Sequence, residues 1–155
     1  RDVYFLIRSM RKPFNPEKEL LNYCQHICHV HKQTVRQNKK TGTWYWDYPA
    51  MAAICHDREC YVKRASYSHY PQKKEFHRVL EKKLLTLGEI GKRSTRPGKR
   101  NNIIGNCAEQ HAANIFMKQC DEDNLSNLYF SKAMRPRTKQ IIDYCDNCKD
   151  IFPNL

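Results

Sequence analysis

The segment Asn106-Cys107-Ala108-Glu109-Gln110-His111-Ala112-Ala113-Asn114-Ile115-Phe116-Met117 has the composition of a buried helix. Ala108, Ala112, Ala113, Ile115, Phe116 and Met117 leave little polar surface, and the alanines permit close approach to a sheet. The helix is predicted from Cys107 to about Cys120, with Cys107 and Glu109 at its mouth. Further on, Cys145-Asp146-Asn147-Cys148 opens a last short helix that ends near Pro153. Between the two, Leu125 to Met134 reads as a short strand around Leu128-Tyr129-Phe130, and Arg135 to Lys139 as a basic turn.

Upstream, Asn15-Pro16 supplies a cap residue followed by proline at the first helical position, with Glu17 and Glu19 in the first turn. A helix is predicted from Pro16 to about Gln37, its apolar face built from Leu20, Leu21, Cys24, Ile27, Cys28 and Val35. Lys39-Lys40-Thr41-Gly42 reads as a turn. Thr43 to Cys55 and Cys60 to Tyr67 read as two strands joined around His56-Asp57-Arg58-Glu59, with Pro49 limiting or bulging the first. Lys73 to Leu87 has a helical stripe (Phe76, Val79, Leu80, Leu84, Leu87) that Gly88 and Gly91 end. Gly91 to Asn102 is then a basic loop interrupted by glycine and proline.

The chain has 155 residues, suited to one domain, and carries 28 Lys+Arg against 16 Asp+Glu, a formal charge of +12. That excess favours an anionic partner, with nucleic acid ahead of an acidic membrane or protein surface. With 40% hydrophobic residues there is material for a packed core, which argues against wholesale disorder. No stretch approaches the roughly 20 apolar residues of a membrane span. The first fifteen residues lack a secretory signal's apolar run, and the chain opens on Arg1, as expected of a mature fragment or a domain cut from a longer chain. Eight cysteines in 155 residues fall below the ~8–10% of a secreted disulfide scaffold, so reduced thiols and metal ligands in a reducing compartment, cytoplasm or nucleus, are expected.

A Cys-x-x-Cys pair can hold one metal with both sulfurs from a single turn, and a third thiolate makes three protein ligands and leaves a fourth position open. Cys145 and Cys148 with Cys107 would form such a set, each group at a helix start where the dipole favours negative charge. Glu109 would reach the same space without being needed as a ligand. A metal such as zinc lowers the pKa of a bound water to roughly 7, and a neighbouring carboxylate can accept that proton and pass it on.

These residues resemble the zinc-dependent cytidine and nucleic-acid deaminase superfamily, in which a His- or Cys-x-Glu segment is followed by a Cys-x-x-Cys segment. The matching stretches are Asn106 to Ala113 and Asp143-Tyr144-Cys145-Asp146-Asn147-Cys148, with Tyr144 where the superfamily usually has proline. More narrowly, Cys-Ala-Glu followed by small residues, then Arg135-Pro136-Arg137-Thr138, looks like the toxin-type deaminases at the C-termini of bacterial polymorphic toxins. The likeness covers about Ile103 to Phe152, a third of the chain.

The resemblance implies an α/β, cytidine deaminase-like fold, a small mixed sheet flanked by helices. It would be one domain over residues 1–155, with 1–91 as an N-terminal helix, strands and extra helix, 92–102 as the basic loop and 103–155 as the catalytic core. Because little chain follows Cys148, the sheet is expected to be smaller or to draw strands from the N-terminal part. Zn2+ would be the cofactor, held by Cys107, Cys145 and Cys148, with Glu109 as the proton shuttle. The implied reaction is hydrolytic deamination of a nucleobase, cytosine to uracil in nucleic acid first and DNA before RNA. For a toxin, an immunity protein would be a partner.

Asn102, Asn106 and Ala108 stand at or before the mouth of the Cys107 helix, where deaminases often place a sugar-binding Asn, although capping explains Asn106 equally well. Arg135, Arg137 and Thr138 lie just upstream of the Cys pair and could hold phosphates. Trp46, within Trp44-Tyr45-Trp46-Asp47-Tyr48, could stack on an unpaired base, or be core. The basic loop is either a phosphate-binding segment or a solvated surface.

Three other arrangements compete. Cys107 and His111 share a helical face and with Cys145 and Cys148 could close a structural Cys₃His tetrahedron with no open position; Glu109 and the buried alanines favour the open arrangement. Cys24, Cys28, His29, His31, Cys55, His56 and Cys60 form a second thiol- and imidazole-rich set, but buried small hydrophobes are the commoner role of such cysteines. Lastly, the chain could be a zinc-stabilised nucleic-acid-binding module without catalysis, or a deaminase of free nucleosides or nucleotides.

Overall fold

A computed structural model describes residues 6–8, 14–31, 35–46, 49–57, 59–66 and 71–155, without the side chains of 6–8, 31, 35, 36 and 44–46. The molecule is organised around strand β4 (Met51–His56), which is buried along both faces. Its side chains alternate: Ala52 and Ile54 join one apolar cluster with Leu20, Tyr23, Cys24 and Ile27, whereas Cys55 joins the other with Leu80, Leu84, Ala112, Ala113, Phe116 and Met117. Three layers result. Helix α1 (Pro16–His31) covers one face of the sheet, and helices α2 (Arg78–Leu85), α3 (Ala108–Gln119) and α4 (Asp146–Ile151) cover the other.

The main sheet has the order β1 (Leu6–Arg8), β5 (Cys60–Ser66), β4, β7 (Ala133–Met134), β8 (Ile141–Ile142), with β6 (Tyr129–Phe130) also on β4. As anticipated, strands from the N-terminal part build most of it, and the α/β class holds. The direction of the strands differs from the mixed sheet expected, because every pairing in it is antiparallel. A tight connection, in which Asp57 Oδ1 accepts from the Cys60 N–H at 2.8 Å, returns β5 against β4 as a hairpin. The chain that leaves β5 through α2 and α3 comes back on the far side of β4. So β5 and β6 run the same way without ever being neighbours.

Several boundaries move for identifiable reasons. The first helix stops at His31 rather than near Gln37. Val35–Gln37 (β2) instead pairs with Trp44–Trp46 (β3) in a separate hairpin. Asn38 Oδ1 closes its turn by accepting from Lys40 N and Thr41 N at 2.9 and 3.2 Å, and Gly42 supplies a positive φ of 70°. On α1 it is Tyr23 that is buried, while Leu21 is exposed. The strand expected over 43–55 is therefore two strands in different sheets, parted at Pro49; Asp47, Tyr48, Arg58 and Tyr67 lie outside the described residues.

The helix predicted from Lys73 begins as a short 3₁₀ turn, and α2 proper starts after His77, whose Nδ1 accepts from the Val79 N–H at 3.2 Å. The strand expected over 125–134 is a 3₁₀ turn followed by β6 and β7, parted by a bulge. Cys55 faces Phe130 but Ala52 faces Met134, so three steps along β4 match four along its neighbour. Ser131 holds the bulge: its N–H donates to Ile54 O at 3.0 Å, and its Oγ accepts from the Ile54 N–H at 2.9 Å. Strand β8, two residues long, gave no periodic signal. No helix among the described residues is long and apolar enough to cross a membrane.

The bulge and the aromatic cluster beside it can each be probed by one substitution. Ser131→Ala leaves the buried Ile54 N–H without an acceptor and should cost about 1–3 kcal/mol in denaturant unfolding, whereas Ser131→Thr should recover most of that. His56 sits between Phe14 and Tyr129, with ring centroids 5.0 and 5.9 Å away, and burial holds its imidazole pKa below the usual histidine value. The folded state therefore disfavours the proton. Stability is fully present above the ordinary pKa of about 6.5 and is lost as pH falls through the lower folded value. His56→Phe, which keeps an aromatic ring there, should flatten that part of a stability-versus-pH curve.

Candidate metal centre

Two helix starts face each other behind the sheet. Cys107 caps α3 and Cys145 caps α4, whose first turn adds Cys148. The burial of Ala112 and Ala113 lets α3 lie close to β4 and β5, and Ile151 and Phe152 seat α4 in the same core. Cys107, Cys145 and Cys148 consequently bring their sulfurs within 4.8 Å of one another, with Cys107 Sγ and Cys145 Sγ 3.1 Å apart. A tetrahedral ion with sulfur ligands at ~2.3 Å needs sulfurs about 3.8 Å apart. The three-cysteine group could therefore hold a metal ion, and its all-thiolate chemistry is consistent with zinc. No other group of metal-ligating side chains gathers in this way among the described residues.

The protons of this cluster are shared. Cys145 is drawn towards the thiolate, chiefly because it accepts hydrogen bonds from Cys107 and Cys148. Cys107 is held protonated mainly by its bond to Cys145, and Cys148 mainly by burial. Glu109 is 4% exposed, and its Oε2 lies 4.0 Å from Cys148 Sγ. Burial pushes its carboxyl up to about 7, which a hydrogen bond from its own backbone N–H opposes.

His111 is not part of the cluster. Its Nε2 faces Asn106 Oδ1 at 3.0 Å, so one imidazole nitrogen is engaged away from the sulfurs and the four-ligand Cys₃His arrangement does not form. The second thiol-rich set is dispersed: Cys24 packs beneath α1, and Cys55 lies in the core on the opposite face of the sheet. The His31 side chain is outside those described.

A cavity of about 410 Å³ opens beside the sulfurs, within the range usual for small-molecule sites. Cys107, Ala108, Glu109 and Cys145 line it from the two helix starts, Asn102, Ile103 and Asn106 from the segment before α3, and Met51, Ser66, Ala133 and Ile142 from the sheet. Arg93, Arg100, Arg135 and Asp143 complete the lining. Of the residues anticipated to contact a ligand, Asn102, Asn106, Ala108 and Arg135 line this cavity. Arg137 and Thr138 do not; both are exposed farther round the turn, where Thr138 Oγ1 accepts from the Gln140 N–H at 3.3 Å. Trp46 belongs to the separate hairpin, and its side chain is outside those described.

The basic loop is anchored at a few positions. Most of its residues are exposed, yet it docks on α4 through Asn147, which is fully buried between the two cysteines. Asn147 Oδ1 accepts from Ser94 Oγ at 3.1 Å and Arg96 Nη2 at 2.7 Å, and its Nδ2 donates to Asn102 O at 3.2 Å. Arg96 also pairs with Asp150, and the Arg100 N–H donates to Asp146 Oδ2 at 2.6 Å. Gln110 performs the same service for α3: its Oε1 accepts from Gly105 N at 2.8 Å, and its Nε2 donates to Cys148 Sγ at 3.6 Å. Gly105 has φ +91°, and a Cβ there would stand 2.9 Å from the Phe76 ring. Sequence reasoning missed Gln110 and Asn147. The available signal was a polar amide at a helical position otherwise surrounded by buried residues, which needs partners.

Compared with protein-family models, with curated proteins and with solved structures, the chain matches none.

Single Cys→Ser changes at 107, 145 or 148 should each lower bound metal below one ion per chain in elemental analysis, whereas His111→Ala should retain it. Arg96→Met removes a donor from buried Asn147 and a partner from Asp150. It should cost about 1–3 kcal/mol in chemical unfolding.

Proposed function

We propose that this chain is a zinc-dependent hydrolase that removes the exocyclic amino group of a nucleobase, cytosine in a polynucleotide first. The observation that carries this reading is the set of three sulfurs with Glu109 beside it, His111 engaged elsewhere and a cavity on the same side. Bound by Cys107, Cys145 and Cys148, a zinc ion would supply a Lewis acid and acidify a water. The chain's own contribution is proton transfer and positioning.

Glu109, buried and with its carboxyl near neutrality, can take a proton from water, give it to the ring nitrogen and then assist departure of ammonia. Water and the amino-substituted ring thereby become a ring carbonyl and ammonia. Ala108, with its small side chain, borders the space next to Glu109, and Asn102 and Asn106, the latter held by His111, line the cavity that a base or sugar would enter. The +12 charge supports a polynucleotide over a free nucleoside, which would have little use for it. DNA is the first choice of polynucleotide.

The test is incubation of the zinc-loaded protein with mixed DNA and RNA pools, read by sequencing for base conversion. Cytosine read as thymine is the expected outcome, and no conversion in any pool overturns the reading. Glu109→Gln should lower turnover by about 10²–10⁴-fold while keeping zinc and nucleic-acid affinity. A binding module without catalysis would show no turnover to lose.

A further inference from the structure

The cations around the cavity fall into two groups. Arg96 is taken up by Asp150 and Asn147, and Lys132 and Lys149 flank Asp143 at 3.6 and 3.8 Å. Arg93, Arg100 and Arg135 are different. All three are exposed and line the cavity, and no carboxylate pairs with any of them among the described residues. Arg93 donates to Asn101 O at 3.2 Å, a neutral acceptor that orients its guanidinium.

They come from two segments, each fixed in place. The ends of the basic loop are laddered together by Gly91 N to Ile104 O at 2.9 Å, Ile104 N to Lys92 O at 2.9 Å and Ser94 N to Asn102 O at 3.2 Å, and Asn147 clasps the loop to α4. The turn that carries Arg135 is closed by Arg135 N to Gln140 O at 2.9 Å and Lys139 N to Arg135 O at 2.8 Å, with Lys139 at φ +62°. Guanidinium groups held on a preformed frame lose little freedom on meeting a ligand, and their forked donors match phosphate oxygens.

We propose that Arg93, Arg100 and Arg135 form an anion subsite that grips the phosphates of a polynucleotide strand beside the base that enters the cavity. It rests on the proposed function for what fills the cavity; the subsite itself rests on three arginines that line it and have no carboxylate partner among the described residues. Arg96 is then a positioning residue for this subsite, because it holds the loop without facing the ligand.

The experiment measures binding of a fluorescent single-stranded oligothymidylate to the metal-loaded protein across a salt series. Thymine has no amino group to remove, so binding is read independently of turnover. Every strand phosphate that the protein ceases to neutralise should reduce the steepness of log K against log salt by about 0.7. The variant R93S/R100S/R135S should therefore lose roughly two units of slope. Arg135→Ser alone, outside the loop, should lose about 0.7. A control that removes three exposed lysines of the α2 region, Lys74, Lys82 and Lys83, should leave the slope unchanged. An equal loss in the control, or no loss in the arginine variants, overturns the subsite. If the slope falls as expected but no base is ever converted, the reaction fails and the subsite stands; if bases are converted with an unchanged slope, the reverse holds.

Discussion

Three sulfur atoms packed within 4.8 Å of one another in a protein interior cannot all ionise unaided, because each thiolate raises the cost of the next and burial raises the cost of all. The cluster accommodates this by letting Cys145 take the charge while Cys107 and Cys148 keep their protons. A divalent cation would remove the conflict, since thiolates that repel one another become ligands of one centre. Two helix starts, a buried amide on each helix and a docked loop all converge on this arrangement.

The support is mechanical at every level. Alanines at 112 and 113 set the distance from α3 to the sheet, and Phe152 packs on Phe130 with ring centroids 4.4 Å apart to seat α4 against the same strands. The bulge at Ser131 separates β6, which lies beneath α4, from β7, which reaches the cavity at Ala133. The loop over 92–102 closes one side through Asn147. Residues far apart in the chain thus share one purpose, to hold three sulfurs and one carboxylate beside a space large enough for a small ring.

Much of this was legible in the sequence because it depends on local chemistry. Cys107, Ala108 and Glu109 announce a helix start, and the Cys145/Cys148 spacing places two sulfurs in one turn. The buried alanines foretold a helix lying close to a sheet. What was not legible depends on pairing at a distance. Whether Val35 to Gln37 continues a helix or becomes a strand is decided by Trp44 to Trp46 opposite it. Basic residues in a Gly/Pro-rich run look solvated until Asn147 and Asp150, some fifty positions away, meet Arg96. His111 has the right spacing for a fourth ligand, and only the position of Asn106 shows its imidazole turned aside.

A metal held by three sulfurs, with its fourth position given to solvent, is what the proposed chemistry requires. X-ray absorption at the zinc edge of the purified, metal-loaded protein tests that most directly. It should show three sulfur neighbours at ~2.3 Å and one oxygen at ~2.0 Å, without the multiple scattering of an imidazole. Four sulfurs, an imidazole in the fourth position, or fewer than three sulfurs would contradict it.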